Sequence, residues 1–286
     1  MSFAQQQANT GRSKLSNLLL ELGDCISLED DDFTKLFYLE LKLKSEFGDL
    51  ARAKEKIFSE FMKVHKTISE NPLNYSISIN FSNDWKRVDK DHIKDEEYIK
   101  KILSEKRSEH ETFSQTFCKD VWERLFYGLG EIRNGGVKSM ESSIDSCQIN
   151  AELGKKGGFN ELEDVLRARF VAKDFKKLEY AYKRLMTELR ESSVLINVKN
   201  SFKRLWTDKR GSGDIKPYLA INLKLIILGL PYELQMMTEN AELIGKLDHP
   251  VRVRRKVKLN EENMNLLNSL SWGSHLLDFR NYLLKI

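Results

Sequence analysis

Cysteine is scarce in this 286-residue chain: Cys25, Cys118 and Cys147 stand far apart and form no C-x-x-C pair. That spacing excludes a disulfide framework and a zinc ribbon, and leaves free thiols as the expectation. Proline is scarcer still relative to length, with four residues, which favours helix. Long apolar runs are missing: Leu223–Leu230 is interrupted by Lys224 and falls far short of the ~20 residues a membrane helix needs. The leading MSFAQQQANTGRSK has no apolar signal core, so no membrane and a cytoplasmic location are expected. One-signed charge is lacking too, since 47 Lys and Arg against 43 Asp and Glu give +4. That is too mild for a chain that binds nucleic acid or anionic membrane along its whole length. No G-x-x-x-x-G-K-[ST] loop or G-x-S-x-G elbow occurs, and Gly211-Ser212-Gly213-Asp214 is not followed by the paired aspartates of classical nucleotidyltransferases.

What is present is a 41% hydrophobic, 10% aromatic chain with 31% charged residues, the composition of a helix-rich globule. From Asp31 to Glu70, apolar residues recur at intervals of three and four, predicting a helical stripe broken at Gly48. Ser27, Glu29 and Asp30 to Asp32 read as a helix start rather than a metal site. Tyr75, Ile77, Ile79 and Phe81 alternate with polar residues as a strand would, and 95–127 reads as helix. Then glycine crowds in: seven of the 15 fall between Gly128 and Gly158, which predicts loops. Beyond them the pattern predicts a strand over Val165–Val171, a helix over Asp174–Arg190 and a strand over Val194–Val198. Strands over Pro217–Leu228 and Tyr232–Met237 follow, joined by Gly229-Leu230-Pro231, then a helix capped by Thr238 and a last helix over Leu259–Ile286. The fold class is therefore α+β, a mixed sheet flanked by helices, with a mainly helical region at 1–127 and the α+β core at 128–286.

Strand parity concentrates polar groups. Tyr218, Ala220, Asn222 and Lys224 share one face of their strand, and Glu233, Gln235 and Met237 share one of the next. Asp164 stands at the entrance to the first core strand. Two carboxylates on neighbouring strands, beside lysines and glycine-rich loops, can serve a Mg²⁺-nucleotide site or be solvated strand ends.

Four segments, in order, resemble the synthetase domain of the RelA/SpoT family of alarmone synthetases. Gly136-Val137-Lys138-Ser139-Met140-Glu141-Ser142-Ser143-Ile144 is similar to R-x-K-S-x-x-S-I, and Asp164 to Val171 is similar to D-L-x-G-x-R-[IF]-V. Pro217 to Asn222 and Glu233 to Thr238 are similar to the G-Y-x-[SA]-[IL]-H and E-[IL]-Q-[IM]-R-T strands. The resemblance covers about 128–250 and implies a nucleotidyltransferase-like core. The activity it implies is transfer of the β,γ-pyrophosphate of ATP to the 3′-hydroxyl of GDP or GTP, with Mg²⁺ as cofactor. By position it makes Asp164 and Glu233 the catalytic acids and metal ligands, places Lys138 and Ser142 at the ATP phosphates and packs Arg169 on adenine. Tyr218 would stack on the acceptor base, with Asn222, Gln235 and Lys216 beside it.

The chain also departs from those motifs. Gly136 stands where the family has an arginine that sandwiches adenine, with Arg133 near enough to substitute. Ser146 or Cys147 replaces a lysine, Arg167 a glycine, Asn222 a histidine and Met237 an arginine. Asp164 and Arg169, five apart, would lie on opposite faces of an ideal strand. No His-Asp dipeptide exists, so the family's hydrolase half is absent; His249 and His275 read as structural. Basic clusters at Lys203, Arg204, Lys209, Arg210 and Lys216, and at Arg252 to Lys258, read singly as solvated surface. Together they make the 3′-end of tRNA an alternative acceptor, in a toxin with an antitoxin or immunity partner. An adenosine nucleotide is a further acceptor, and a non-catalytic binding module the reading from another class.

Overall fold

The structure is a computed structural model that describes residues 13–70, 111–139, 141–146, 164, 166–189, 195–207, 215–227, 230–253 and 256–284. The strand expected over 75–82, the start of the helix expected from 95, Cys147, Gly154 to Gly158, Lys209, Arg210, Arg254 and Arg255 lie outside the described residues. In chain order the named elements are α1 (Lys14–Leu22), α2 (Asp30–Phe47) and α3 (Leu50–Ser69). They continue with β1 (Gly130–Val137), β2 (Leu166–Ala172), α4 (Phe175–Leu189), β3 (Leu195–Asn200), β4 (Ile221–Ile227) and β5 (Leu230–Thr238). The last two are α5 (Glu239–Asp248) and α6 (Glu261–Leu283). A helical stretch over 111–125, with a π turn at Cys118–Trp122, precedes β1.

Contacts divide the chain into two units that interleave in sequence: Met1–Pro72, Ser201–Ala220 and Thr238–Ile286 form one, Leu73–Asn200 and Ile221–Met237 the other. A single boundary at 127/128 is a reading along the chain; these units are discontinuous in it.

In the helical unit, α2 and α3 are the expected proline-free stripe, divided where Gly48 takes a φ of +75° that other residues rarely adopt. The cap of α2 is Glu29 rather than the Ser27 of the sequence reading. The Glu29 carboxylate accepts from the Asp32 N–H and the Asp32 carboxylate accepts from the Glu29 N–H. Asp32 also pairs with Lys246 of α5 at 2.7 Å, so one of the acids at that helix start is partnered. Buried residues cover every side of the middle of α6, which makes it the unit's central element. Its Trp272 ring lies 4.6 Å from Phe61 and 5.1 Å from Phe58 of α3. Its buried Ser269, Ser271 and Ser274 donate their hydroxyls to the carbonyls of Leu50, Leu267 and Ser271.

The sheet unit is a mixed five-stranded sheet in the order β1-β2-β5-β4-β3. Leu166, Ala168 and Phe170 of β2, Leu223 and Leu225 of β4, and Leu234 and Met236 of β5 form its buried apolar face. Leu178, Ala181, Tyr182 and Leu185 give α4 a matching apolar stripe, and Phe126 stacks on Phe170 at 4.4 Å.

Three expectations are corrected here. The glycines at 130–136 lie in a strand, not a loop, and at two of them, Gly130 and Gly135, β1 runs too close to β2 for a side chain. A Cβ at Gly130 would lie 2.3 Å from the Val171 carbonyl oxygen, and one at Gly135 would lie 3.0 Å from Arg167 Cβ. β4 begins at Ile221 rather than Pro217. In the segment before it, the Pro217 carbonyl accepts from His275 Nε2 at 2.6 Å, and Ala220 exchanges hydrogen bonds with the Ser201 hydroxyl. Leu230 and Pro231 belong to β5, whose pairing with β4 extends to Ile227↔Leu230.

Candidate active site

The other face of the sheet is polar because alternate residues of three strands present their side chains there. Arg167 and Arg169 come from β2, Glu233 and Gln235 from β5, and Asn222 and Lys224 from β4, all half-buried. The β4–β5 register sets Lys224 opposite Glu233 and Asn222 opposite Gln235, the alignment that parity requires. β5 is the central strand, so Glu233 sits in the middle of this face.

Asp164 is in a turn two residues ahead of β2, outside the strand. Parity does not govern its direction, which removes the conflict between its position and that of Arg169. Its Oδ2 accepts from Lys138 Nζ at 2.6 Å. Lys138 follows β1 directly, and only 7% of its side chain is exposed against 30% for Asp164. The same ammonium donates to the Ser146 hydroxyl at 2.7 Å, and that hydroxyl donates to the Ser142 carbonyl at 2.8 Å. Residues 141–146 are helical. Ser142 therefore takes part through its backbone; its N–H donates to the Ser139 hydroxyl at 3.2 Å. Ser146 is the partner that motif matching left open, and its helical spacing from Ser142 was the available signal.

Glu233 is pushed above the usual carboxylate range by desolvation first and by the negative charge of Asp164 second. Lys224, Arg167 and a hydrogen bond from the Gln235 amide at 3.1 Å pull it down without cancelling the rise. The other end of that amide accepts from Arg169 at 3.3 Å, so Gln235 bridges Arg169 to Glu233. The buried polar atoms on this face that have no hydrogen-bond partner among the described residues include Asn222 Oδ1 and Arg167 Nε. Such orphans cost free energy in a fold, which an ordered water, an ion or a bound ligand relieves.

The structure thus brings together Lys138, Ser142, Asp164, Arg169, Asn222, Glu233 and Gln235, in one unit. Arg167 and Lys224 join them as charges that the candidate set omitted. Tyr218 and Lys216 belong to the helical unit. Tyr218 is half-buried against α5, where Gly245 makes room for it; a Cβ there would lie 3.2 Å from the ring. The Lys216 N–H donates to the Trp206 carbonyl at 2.6 Å. Among the described residues no cluster of three or more metal-binding side chains occurs, and no helix is long and apolar enough to cross a membrane.

No family model and no curated protein matches the chain. Solved structures do. The chain is similar to small alarmone synthetase 1 from Bacillus subtilis bound to its product pppGpp, at 10% identity over 65% of this chain and 92% of that one, with a TM-score of 0.41. It is similar to small alarmone synthetase 2 from the same organism at 15% identity, over 62% and 98%, with a TM-score of 0.44. A GTP pyrophosphokinase family protein from Streptococcus pneumoniae follows at 13% identity, over 65% and 92%, also with a TM-score of 0.44. The solved structures it resembles include alarmone synthetases.

Proposed function

We propose that this chain is a pyrophosphokinase that moves the β,γ-pyrophosphate of ATP to the 3′-hydroxyl of a guanosine nucleotide, GDP or GTP. The observation that carries the reading is a buried Lys138, ion-paired to Asp164 just ahead of β2, beside a desolvated Glu233 on the neighbouring β5, on a face that also presents Arg167, Arg169 and Lys224. The order of the four similar segments supports it.

In this reading Lys138 and the arginines neutralise the triphosphate and hold it for in-line attack, which is most of what phosphoryl chemistry asks of a protein. The acceptor 3′-oxygen forms a bond to the β-phosphorus while the bond from that phosphorus to the α,β-bridging oxygen breaks, and AMP leaves. The hydroxyl proton passes to Glu233, a carboxylate whose raised pKa makes it a better base than a solvated glutamate. Asp164 and Glu233 also fit Mg²⁺, which takes one or two carboxylates and completes its shell with phosphate oxygens and water. Their mutual repulsion, visible in the rise at Glu233, is what a cation would relieve. Bound there, Mg²⁺ would supply charge neutralisation on the phosphates. By its place in the third similar segment Tyr218 would stack on the acceptor base; on the polar face of the sheet unit, Asn222 Oδ1 is open to a donor.

The test is thin-layer separation after incubating the chain with γ-³²P-ATP, Mg²⁺ and, in parallel, GDP, GTP, ADP, ATP and bulk tRNA. Label on GDP or GTP is the expected result. Label on tRNA or on an adenosine nucleotide would replace the acceptor but keep the chemistry, and no transfer to any of them would overturn the reading.

A further inference from the structure

Charge is nearly balanced over the whole chain but not along α4. Between residues 173 and 184, Lys173, Lys176, Lys177, Lys183 and Arg184 stand against Asp174 and Glu179, a surplus of three within a chain of net charge +4. The two acids are engaged. The Asp174 carboxylate accepts the Lys177 N–H at 2.8 Å, and Glu179, with 13% of its side chain exposed, pairs with Lys183 at 2.7 Å. Lys173, Lys176 and Arg184 are exposed and have no ion-pair partner among the described residues.

Helical spacing gathers these groups. Positions 176, 177, 180, 183 and 184 recur at intervals of three and four, so they form one stripe, with Lys173 just ahead of it. Phe175, Leu178, Ala181, Tyr182 and Leu185 form the opposite stripe, which is buried. That side packs on the apolar face of the sheet, so the cationic stripe looks away from the polar face that carries Glu233. In its middle stands Tyr180, 60% exposed. The turn before β1 comes up beside it: Lys177 Nζ lies 3.5 Å from the Gly128 carbonyl oxygen. Leu129, Lys176, Lys177, Glu179, Tyr180 and Lys183 line a hollow of about 400 Å³ there. Tyr127, next to Gly128, is 85% exposed.

Two rings turned to solvent among lysines gain nothing from the fold, since an aromatic side chain contributes most when buried. A lipid surface would want aliphatic side chains on the outer stripe, and among positions 176, 177, 180, 183 and 184 none is aliphatic. Cations matched with flat exposed rings complement a strand that offers both phosphates and unstacked bases. We propose that α4 and the turn at 127–129 form a binding surface for a single-stranded nucleic acid, with Lys173, Lys176, Lys177 and Arg184 on its phosphates and bases laid on Tyr180 and Tyr127. Stacking on tyrosine tolerates every base, and ammonium groups act as point charges, so the surface recognises a strand rather than a sequence. A duplex hides its base faces and offers the rings nothing. None of these residues belongs to the polar face, so the surface is independent of the acceptor proposed above.

The test is fluorescence anisotropy of a short fluorescein-labelled oligouridylate titrated with the full chain at several salt concentrations. Thermal melts confirm that each variant folds. Wild type should bind, more weakly as salt rises. Tyr180→Ala should weaken binding about tenfold, and Tyr180→Phe, which keeps the ring, should stay within about twofold of wild type. Lys173→Ala combined with Lys176→Ala should flatten the dependence of log affinity on log salt by about one for each lysine removed. Wild type that fails to bind at low salt overturns the proposal. So does an RNA duplex bound as tightly as the single strand, or Tyr180→Ala that binds like wild type, either of which would leave a plain anionic contact. Loss of binding in Lys203→Glu with Arg204→Glu, and not in the α4 variants, would move the strand to the helical unit and overturn it as well.

Discussion

Lys138 and Asp164, 26 residues apart in sequence, meet at 2.6 Å with the cation more deeply buried than the anion. The asymmetry makes the two halves of the pair unequal. Without Asp164, a buried ammonium keeps only the Ser146 hydroxyl; without Lys138, a partly exposed carboxylate can turn to water. Asp164→Ala should therefore cost about 2 kcal/mol of stability, below the range for fully buried pairs, and Lys138→Met clearly less. Both should abolish pyrophosphate transfer. Urea denaturation of the two variants checks the order, and an equal or reversed order would mean that the carboxylate, not the ammonium, is the stranded charge.

Glu233 carries a measurable consequence of its raised pKa. A carboxyl group that holds its proton more tightly in the fold contributes most below its unfolded pKa, near 4.5, and that contribution is lost as pH rises through the folded value. At neutral pH the ionised side chain is therefore a burden that Glu233→Gln removes. The variant should melt higher than wild type at pH 7, the gap closing below about pH 4.5, while transfer falls by about 10²-fold or more. A variant that melts lower than wild type at pH 7 would place the carboxylate in a stabilising pair instead.

Acceptor stacking predicts a split between substrates. Tyr218→Ala should raise the KM for the acceptor by about tenfold, given the 1–3 kcal/mol of a base–aromatic stack. ATP binding in the absence of acceptor should hold within about twofold. Steady-state kinetics with each substrate varied in turn measures both, and a rise confined to ATP would move Tyr218 to the donor side.

Glycine contrasts test why β1 exists. Gly130→Ala drives a methyl group into the Val171 carbonyl at 2.3 Å, a backbone atom that cannot withdraw without breaking the β1–β2 ladder. Gly273→Ala, in α6, meets the end of the Leu43 side chain at 2.4 Å, which can rotate away, and gains helix propensity. The first should cost about 2–3 kcal/mol and the second about 1 or less. Calorimetric melting of the two variants decides it, and comparable losses would remove the distinction.

Much of this was legible because periodicity reports burial. The polar face of β4 and β5 follows from alternation alone, and the register confirms that Asn222 and Lys224 meet Gln235 and Glu233. The α2–α3 division at Gly48 and the Thr238 cap of α5, whose side chain accepts from the Ala241 N–H, are equally local signals. What stayed hidden depends on partners distant in sequence. β1 looked like a loop because glycine density is the same whether it serves flexibility or close strand approach, and only Val171 and Arg167 tell the two apart. Asp164 was read by strand parity although it precedes the strand. Pro217 to Ala220 have strand-like composition, but His275 and Ser201 hold them otherwise.

His275 supplies the acid limit of the helical unit. Its ring is buried, its Nε2–H donates to the Pro217 carbonyl, and burial depresses its pKa to about 4, with the neighbouring His65 adding to the fall. His65 is depressed as well, by burial, against hydrogen bonds to the backbone of Ser201 and Phe202. A histidine held neutral contributes stability that is complete above its unfolded pKa, near 6.5, and is lost as pH falls toward 4, when the unfolded chain binds the proton that the fold refuses. Wild type should therefore lose melting temperature steadily between pH 6.5 and 4. His275→Gln keeps a donor for the Pro217 carbonyl and cannot titrate, so its melting curve should be flatter over that interval and cross that of wild type. His275→Leu should be flat as well, but lower at pH 7, because the carbonyl one residue before Tyr218 is left without its donor. Parallel slopes in wild type and His275→Gln would assign the acid sensitivity to His65 or to the carboxylates.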